Sequence, residues 1–345
     1  MDFRFWIEMS PQSKIKKRGY IAIGKFIIKR LGQIIVTLFI IMTLLFILFR
    51  VMPGDPAAMI LDPKMPPEAK AIIRQQFGLD KPLIVQYGYY LKNVFTLNFG
   101  HSFYYPEPVF DLVMEKLPNT ILLFTTAVFL SYLIGLPLGK YIAWRRGSRM
   151  EIGITVFGLF FYTIFIPWFG LIMIWIFSYK LGWFPLAGML TPEVWADKTI
   201  GILPKIVDVL YHLCLPLCVL TLLFFAGSML LMRNSMLETL REDYITTAKA
   251  KGLDEKTVRN KHAARNAMLP VVTALTLSLA FSINGGVLTE KVFSWPGVGK
   301  LLIEAVLSHD YPLAQTAFLF LSVVVLVANL IADCLYAYLD PRIRY

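Results

Sequence analysis

Six long uncharged runs constrain the fold of this chain more than any other feature of its sequence. They are 19, 23, 28, 24, 24 and 22 residues long and cover residues 31–49, 117–139, 152–179, 209–232, 266–289 and 311–332. A helix needs about 20 residues to cross about 30 Å of hydrocarbon, so each run is long enough to span a bilayer. Only 17% of the residues are charged, whereas soluble domains carry about 25%. The sequence therefore predicts an all-α integral membrane protein with six transmembrane helices, TM1 to TM6.

The polar segments that separate these runs alternate in charge. One set holds 22 Lys and Arg and 10 acidic residues, a net charge of +12, within residues 1–30, 140–151, 233–265 and 333–345. The other set holds 12 Lys and Arg and 13 acidic residues, a net charge of −1, within residues 50–116, 180–208 and 290–310. Because cytoplasmic loops are enriched in basic residues, we expect the first set, with both termini, in the cytoplasm. The overall charge of +11 thus reflects membrane topology and does not indicate nucleic-acid binding.

Several of these polar segments are expected to have structure of their own. Residues 14–30, within the cytoplasmic segment 1–30, mix basic and apolar side chains. This pattern fits an amphipathic helix on the inner leaflet, and an ordinary positively charged anchor explains the charges equally well. The 67 residues of the outer segment 50–116 are too many for a bare loop. We interpret them as a helical extracellular subdomain with helices after Pro67-Glu68, over 84–94 and over 109–116.

Five residues inside or beside the runs carry expectations of their own. Pro137 and Pro167 lie within TM2 and TM3, where neighbouring helices accommodate a proline and where it can form a hinge. His212 is near the outer end of TM4, and we expect it to extend to the membrane interface. Cys214 and Cys218 are four residues apart, a spacing that suits a soft metal ion, but packing as small apolar residues is the favoured interpretation.

The sequence lacks the signatures of an enzyme or an ion-coupled carrier. The turn Pro296-Gly297-Val298-Gly299 superficially resembles a P-loop, but Ser294 and Leu301 stand where that motif has glycine and Ser or Thr. No Asp, Glu, Lys or Arg interrupts the six runs, where a coupled carrier places its charges. We therefore expect a passive conduit, with no catalytic and no metal site, that is powered by another chain. A stand-alone channel is the alternative from a different class, and no selectivity-filter motif supports it.

The longest polar interruption of the C-terminal half covers residues 233–270. It contains two segments of helical character that are separated by Gly252-Leu253-Asp254. The charge distribution places this loop in the cytoplasm, and a helix–glycine–helix loop in water is suited to being held by a second protein.

Short motifs in this loop and along the whole chain carry a family resemblance. The loop contains Asp243-Tyr244, Thr247-Ala248-Lys249-Ala250-Lys251-Gly252-Leu253, His262-Ala263 and Arg265-Asn266-Ala267-Met268-Leu269-Pro270. Elsewhere, in order, stand Pro53-Gly54-Asp55-Pro56, Phe77-Gly78-Leu79-Asp80-Lys81-Pro82, Phe99-Gly100-His101-Ser102, Leu117-Pro118-Asn119-Thr120, Pro296-Gly297-Val298-Gly299, Asp310-Tyr311-Pro312 and Asp340-Pro341-Arg342-Ile343-Arg344. Together they resemble the permeases of ABC importers in the dipeptide, oligopeptide and nickel family, whose cytoplasmic loop bears the EAA motif. Thr246 and Thr247 replace the glutamate and first alanine of that motif.

This resemblance implies a fold and a set of partners. The fold is that of a type I ABC importer permease, with both termini in the cytoplasm and a helical extracellular insertion after TM1, as in the B-type subunit. The partners are a paralogous C-type permease in a heterodimer, two cytoplasmic ATP-binding subunits, an extracytoplasmic substrate-binding protein and membrane lipid. ATP and Mg would bind the partner subunits, so this chain would need no cofactor. The implied location is the plasma or inner membrane of a prokaryote.

The resemblance also assigns ATPase coupling to the loop. The helix over residues 243–252 would dock in a groove on an ATP-binding subunit and tilt TM4 and TM5 when that subunit closes. The predicted coupling residues are Asp243, Tyr244, Thr247, Ala248, Lys251, Gly252 and Leu253. Gly252 would allow the turn, small residues at 247 and 248 would allow close approach, and residues 244 and 253 would be apolar anchors.

The cargo and its path are less constrained by the sequence. Dipeptides or oligopeptides are the expected cargo, because no histidine cluster lines one span as a nickel permease would favour. Nickel or another small solute is the alternative within the family. Polarity and position suggest four pathway residues: Tyr162, Met229, Met232 and Asn284.

Overall fold

A computed structural model describes residues 11–51, 81–197, 199–282 and 285–339, with side chains over 28–50, 81–197, 199–282 and 285–334. Within these ranges the regular structure is helical, and one isolated bridge pairs His101 with Pro108. The helices are α1 (Pro11–Val51), α2 (Leu83–Phe95), α3 (Val109–Trp144), α4 (Arg149–Thr163), α5 (Ile166–Met173), α6 (Pro192–Ala196), α7 (Ile202–Thr239), α8 (Asp243–Ala250), α9 (Glu255–Thr257), α10 (Ala264–Ser282), α11 (Val287–Val292), α12 (Val298–Leu307) and α13 (Tyr311–Leu339). π-Helical turns extend α5 over Ile174–Lys180 and join α9 to α10 over Val258–Ala263.

Five described helices are long and apolar enough to cross a membrane. They are Ile28–Arg50 of α1, Val109–Trp144, Ile202–Thr239, Glu255–Ser282 and Tyr311–Cys334. Two further segments, Arg149–Thr163 and Ile166–Lys180, pass the same test as a pair that is bent by 102°. Whether the chain has six spans therefore depends on the direction in which the helices on either side of this bent pair run.

α3 and α7, which flank the bent pair, run in the same direction. In the first half of both helices, Leu123 belongs to the same buried cluster as Leu213 and Leu220. Further along, the hydroxyl of Ser228 donates to the carbonyl of Ser131 at 2.9 Å. Two neighbouring helices that cross a membrane in one direction require a return crossing between them, so the bent pair is the third span. The prediction of an all-helical protein with six spans is confirmed.

Glycines bring α3 and α7 into backbone contact. A Cβ atom on Gly135 would lie 2.8 Å from the carbonyl of Phe225 and 2.9 Å from the amide nitrogen of Met229. A Cβ atom on Gly139, one turn later, would lie 2.8 Å from Cβ of Met232. This spacing of two small residues four positions apart is the one that allows close helix approach in membranes. The α3–α7 pair is therefore the rigid centre to which the cytoplasmic loop is attached.

The prolines of the spans have different effects. α3 continues through Pro118 and Pro137, so the helix expected over 109–116 is not a separate element but the beginning of the TM2 helix. In TM3, the chain leaves the helix at Ile164 and Phe165, and Pro167 lies in the first turn of α5. Proline is well tolerated there, because the first amides of a helix have no intrahelical acceptor. The hinge expected at Pro167 is therefore a full break.

Other predicted boundaries also differ from the observed ones. The helix expected over 84–94 is α2, whereas the helix expected after Pro67-Glu68 lies outside the described residues. The segment expected to lie on the inner leaflet is continuous with TM1 in the single helix α1. The TM5 helix ends at Ser282 and not at residue 289, because Gly285 takes a positive φ of 68° that a helix cannot include.

His212 does not extend to the interface as expected. It is 7% exposed, and its Nδ1 lies 3.0 Å from the carbonyl oxygen of Asp208 and 3.5 Å from that residue's Oδ1. Asp208 also accepts hydrogen bonds from the amide and hydroxyl of Thr191 and from Nε1 of Trp195, at 2.9, 2.6 and 3.0 Å. The prediction was wrong because the imidazole turns back to Asp208 within α7, and Asp208 is itself held by residues 191 and 195.

Candidate functional site

The cytoplasmic loop between α7 and α10 has the helix–glycine–helix form that its sequence predicted. α8 ends as the amides of Lys251 and Gly252 donate to the carbonyls of Thr247 and Lys249, at 3.1 and 2.9 Å. Gly252 has a φ of 73°, the left-handed conformation in which helices commonly end and which favours glycine. Asp254 then caps α9 by accepting from the amide of Thr257 at 3.0 Å. Hydrogen bonds from Thr257 hold the pKa of Asp254 below its usual value, so the cap is a charged carboxylate at neutral pH.

One face of α8 attaches the loop to the transmembrane helices. Ile245 and Ala248 are 1% and 5% exposed. They belong to a buried apolar cluster with Met236 of α7, Val258 of the π-helical turn and Val271 of α10. The spacing of three places both side chains on one face of a helix. Any force on α8 is therefore transmitted directly to α7 and α10.

The other face of α8 is open to solvent. Six of the seven predicted coupling residues are exposed, namely Asp243, Tyr244, Thr247, Lys251, Gly252 and Leu253. Tyr244 and Leu253 each keep 39% of their surface exposed, although both are largely apolar. The phenol oxygen of Tyr244 accepts a hydrogen bond from Nδ2 of Asn266 at 2.7 Å, which fixes the ring on the surface.

Ala248 is the exception among the seven residues. The sequence suggested that it allows close approach of a partner, but its side chain points into this chain's own core. The correction has a simple physical reason, since the apolar pair Ile245 and Ala248 is the face of α8 that the cluster needs. The spacing of three residues between Ile245 and Ala248 is visible in the sequence and could have identified the buried face of α8.

Trp144, at the cytoplasmic end of α3, lies between the two halves of the loop. The ammonium of Lys249 on α8 and the guanidinium of Arg259 lie 5.9 and 6.0 Å from its ring centroid. Its Nε1 donates to Glu255 at 3.4 Å. Sequence reasoning missed this role, because Trp144 and Glu255 are 111 residues apart. The arrangement connects the loop to α3 as well as to α7 and α10.

A buried ion pair holds the first residue of the loop segment to the start of TM3. Arg233 donates through Nε to Oε1 of Glu151 at 2.8 Å and also through its terminal nitrogen. Glu151 is buried, and its second oxygen accepts from the amide of Gly147 at 2.6 Å. Breaking a buried pair on one side leaves an uncompensated charge, so Glu151 and Arg233 rigidly connect the α3–α4 turn to α7.

The structure describes three of the four predicted pathway residues. Met229 and Met232 are fully buried and fill the gaps opposite Gly158 and Gly139, which suits the flexible methionine side chain. They pack the interfaces of α7 with α4 and α3, and Met232 also borders a cavity of about 300 Å³ beside Pro137 and Lys140. Tyr162 is exposed, and Asn284 lies outside the described residues.

The described residues contain no group of three or more His, Cys, Asp or Glu side chains arranged to hold a metal ion. Cys214 and Cys218 are free thiols on α7, and this pair alone is too small a donor set for a structural zinc site.

Two family models match most of the chain. The model described as "Binding-protein-dependent transport system inner membrane component" matches residues 135–345. A second, described as "Binding-prot-dependent transport system membrane comp, N-term", matches residues 23–124. The chain belongs to this family of transporter membrane components. It is therefore a multi-pass permease subunit with no catalytic activity of its own, and separate ATP-binding subunits and a substrate-binding protein are its partners.

Several curated relatives cover nearly the whole permease. The oligopeptide transport system permease protein AppB of Bacillus subtilis (strain 168) is 39% identical over 323 residues, which are 93% of this chain and 99% of the relative. The di/tripeptide transport system permease protein DppB of Pseudomonas aeruginosa (strain UCBPP-PA14) is 38% identical over 331 residues, 93% and 98% of the two chains. The glutathione transport system permease protein GsiC of Escherichia coli O1:K1 / APEC is 36% identical over 323 residues, 93% and 99% of the two chains.

Proposed function

We propose that this permease imports dipeptides or oligopeptides across the plasma or inner membrane of a prokaryote. An extracytoplasmic binding protein delivers the cargo, and a paralogous C-type permease completes the path as the other half of a heterodimer. The names of the relatives support a peptide cargo, because they specify oligopeptides, di- and tripeptides and glutathione. ATP and Mg bind the partner subunits.

The coupling role rests on one observation, the two-sided character of α8. Its inner face is buried against α7 and α10, whereas Tyr244 and Leu253 stay exposed beside it. An apolar surface that a folded loop leaves in water is suited to a protein partner. We assign that partner as an ATP-binding subunit, in whose groove α8 lies. Closure of the ATP-binding subunits would then move α8 and the attached helices as a rigid body.

Substitution of Gly252 tests this coupling. Gly252 has open space around it, so Gly252→Val leaves the buried face intact and disturbs only the turn, through about 1–2 kcal/mol of left-handed strain. We expect the assembled transporter to lose most of its peptide-stimulated ATP hydrolysis. The matched control is Gly182→Val, because Gly182 has a φ of 64° and is equally open but lies outside the loop. Equal stimulation in the two variants would contradict the docking model.

The cargo is tested separately from coupling. Mass spectrometry of the ligand retained by the co-purified binding protein should identify peptides of two or more residues. Retention of a nickel chelate or another solute in place of peptides would overturn the peptide assignment and leave the coupling model standing.

A further inference from the structure

A groove of about 820 Å³ opens between α1 and α13 at the cytoplasmic end of both helices. Its volume falls within the range of about 300–1,000 Å³ that is usual for small-ligand sites. Arg30 of α1 and Asp333 of α13 join the two helices here, with Nε 3.1 Å from Oδ2 and the terminal nitrogen 3.2 Å from Oδ1. The guanidinium is thus engaged by a carboxylate, and the ion pair fixes the width of the groove.

Polar side chains continue from this ion pair into the apolar spans. On α1, Lys29, Gln33 and Thr37 line the groove at intervals of four residues, so they share one helix face. On α13, Asn329 and Asp333 line the opposite wall with the same interval. A rise of 1.5 Å per residue places Thr37 about 12 Å further along the helix axis than Lys29. The groove therefore carries polar groups from the membrane surface to well inside the inner leaflet.

Three of these polar side chains have no protein partner within the part of the chain that the structure describes. Among the side chains that the structure describes, no hydrogen bond or ion pair involves Lys29, Gln33 or Asn329. In hydrocarbon an unpaired amide costs several kcal/mol. Lys29 and Gln33 are exposed and Asn329 is half-buried in this chain alone, so two amides and an ammonium face whatever lies in this membrane groove, and a polar ligand from the bilayer would satisfy them.

We propose that this groove binds an anionic glycerophospholipid of the inner leaflet. The ammonium of Lys29 pairs with the phosphate, and the amides of Gln33 and Asn329 donate to phosphate and ester oxygens deeper in the groove. The acyl chains lie along Val36 and Leu330, which complete the apolar part of the wall. Residues 1–30 carry eight Lys and Arg, and basic clusters next to a span concentrate anionic lipids at the cytoplasmic surface.

The test measures the lipid that the assembled transporter retains. Wild-type complex and a Lys29→Gln variant are exchanged into bilayers of phosphatidylcholine with and without phosphatidylglycerol, purified, and analysed by native mass spectrometry. Removing one cation near an anionic membrane surface lowers affinity about fivefold, so we expect about that loss of bound phosphatidylglycerol. Adding Gln33→Leu and Asn329→Leu should remove the remainder, and phosphatidylcholine should not replace it.

The control is Arg149→Gln, which removes an exposed cation from the cytoplasmic side of the protein outside the groove. It should retain phosphatidylglycerol at the wild-type level. Unchanged retention in the Lys29→Gln variant, or an equal loss in the control, would overturn the site. A Thr37→Cys variant that carries a photoreactive maleimide shows whether protein or lipid fills the groove. Cross-linking of this cysteine to the other permease subunit would overturn the proposal, and cross-linking to lipid alone would support it.

Discussion

The outer turn formed by α11 and α12 and the cytoplasmic loop around α8 are both polar segments that connect two spans and contain glycine at a turn. They differ in how far their large side chains are buried. In the outer turn, Glu290 and Trp295 are 0% exposed, so even the carboxylate is covered by this chain. In the cytoplasmic loop, Tyr244 and Leu253 remain well exposed. The outer turn is thus complete within one subunit, whereas the role proposed for the loop requires a partner on its open face.

The outer turn is held by hydrogen bonds to α3 as well as within itself. The Glu290 carboxylate accepts from the hydroxyl of Thr120 at 2.7 Å and from the amide of Lys300 at 3.0 Å. Nε1 of Trp295 donates to the backbone carbonyl of Asn119 at 2.9 Å. The side-chain amide of Asn119 donates in turn to the carbonyl of Pro296, also at 2.9 Å. The buried carboxylate of Glu290 and the buried indole of Trp295 are both hydrogen-bonded, which is the condition under which such networks rigidify a structure.

The cytoplasmic loop is attached along one face and leaves its other face in solvent. Ile245 and Ala248 anchor α8, and Trp144 holds both halves of the loop through exposed cation–π contacts. Such contacts are worth about 0.5–1 kcal/mol each at exposed sites. The loop is thus positioned firmly enough to transmit a displacement, while its outer face is free to bind.

The largest effect is expected from removing the buried carboxylate. Glu290→Ala leaves the Thr120 hydroxyl and the Lys300 amide without acceptors and opens a cavity, which together cost about 3 kcal/mol of folding free energy. Thermal unfolding of the purified transporter should shift to a clearly lower temperature. Glu304→Ala is the control, because Glu304 is partly exposed and its ion pairs to Lys291 and Lys300 are 3.6 and 3.8 Å long. Equal melting of the two variants would contradict the structural role of Glu290.

A second prediction concerns the pH dependence of the same turn. Burial raises the pKa of Glu290 above its ordinary value of 4.5, so the folded state holds this proton more tightly than the unfolded state does. Stability should then fall as pH rises from about 4.5 through the raised pKa. Glu290→Gln, which stays neutral, should flatten this part of the pH–stability curve. The measurement is the melting temperature of both proteins across pH, and parallel curves would exclude a raised pKa.

The spans and the coupling loop were predictable because their signals are local. A run of about 20 apolar residues determines a span by its own composition, and the glycine at 252 determines the end of the helix directly before it. The outer turn was not predictable, because Glu290 stands just beyond a run and its burial depends on Thr120, 170 residues earlier, as well as on the nearby Lys300. The role of Trp144 was missed for the same reason, since its contacts are also distant in the sequence. Local sequence shows that a segment crosses the membrane, but the other helices decide which of its polar residues become buried.

A third prediction concerns Trp144, which contacts both halves of the cytoplasmic loop. Trp144→Ala removes the ring that faces Lys249 and Arg259, so α8 should move with less effect on α3. We expect normal assembly and partly uncoupled ATP hydrolysis, measured as a higher basal rate with weaker stimulation by cargo. Trp175→Ala is matched, because Trp175 also has a lysine, Lys180, at 5.6 Å from its ring centroid but lies on TM3. Comparable uncoupling in the control would show that the loss is not specific to the loop.

The smallest effect is expected from a substitution that removes the hydroxyl of Tyr244 and keeps its ring. Tyr244→Phe loses only the hydrogen bond from Asn266, which is worth about 0.5–1.5 kcal/mol, and keeps the exposed ring. If the partner binds the loop through its apolar surface, Tyr244→Phe should keep cargo-stimulated ATP hydrolysis near the wild-type rate, while Tyr244→Ala should lose most of it. If instead the two variants fail equally, the link to Asn266 is the essential feature. The loop would then resemble the outer turn, since its internal hydrogen bonds and not its open face would carry the function.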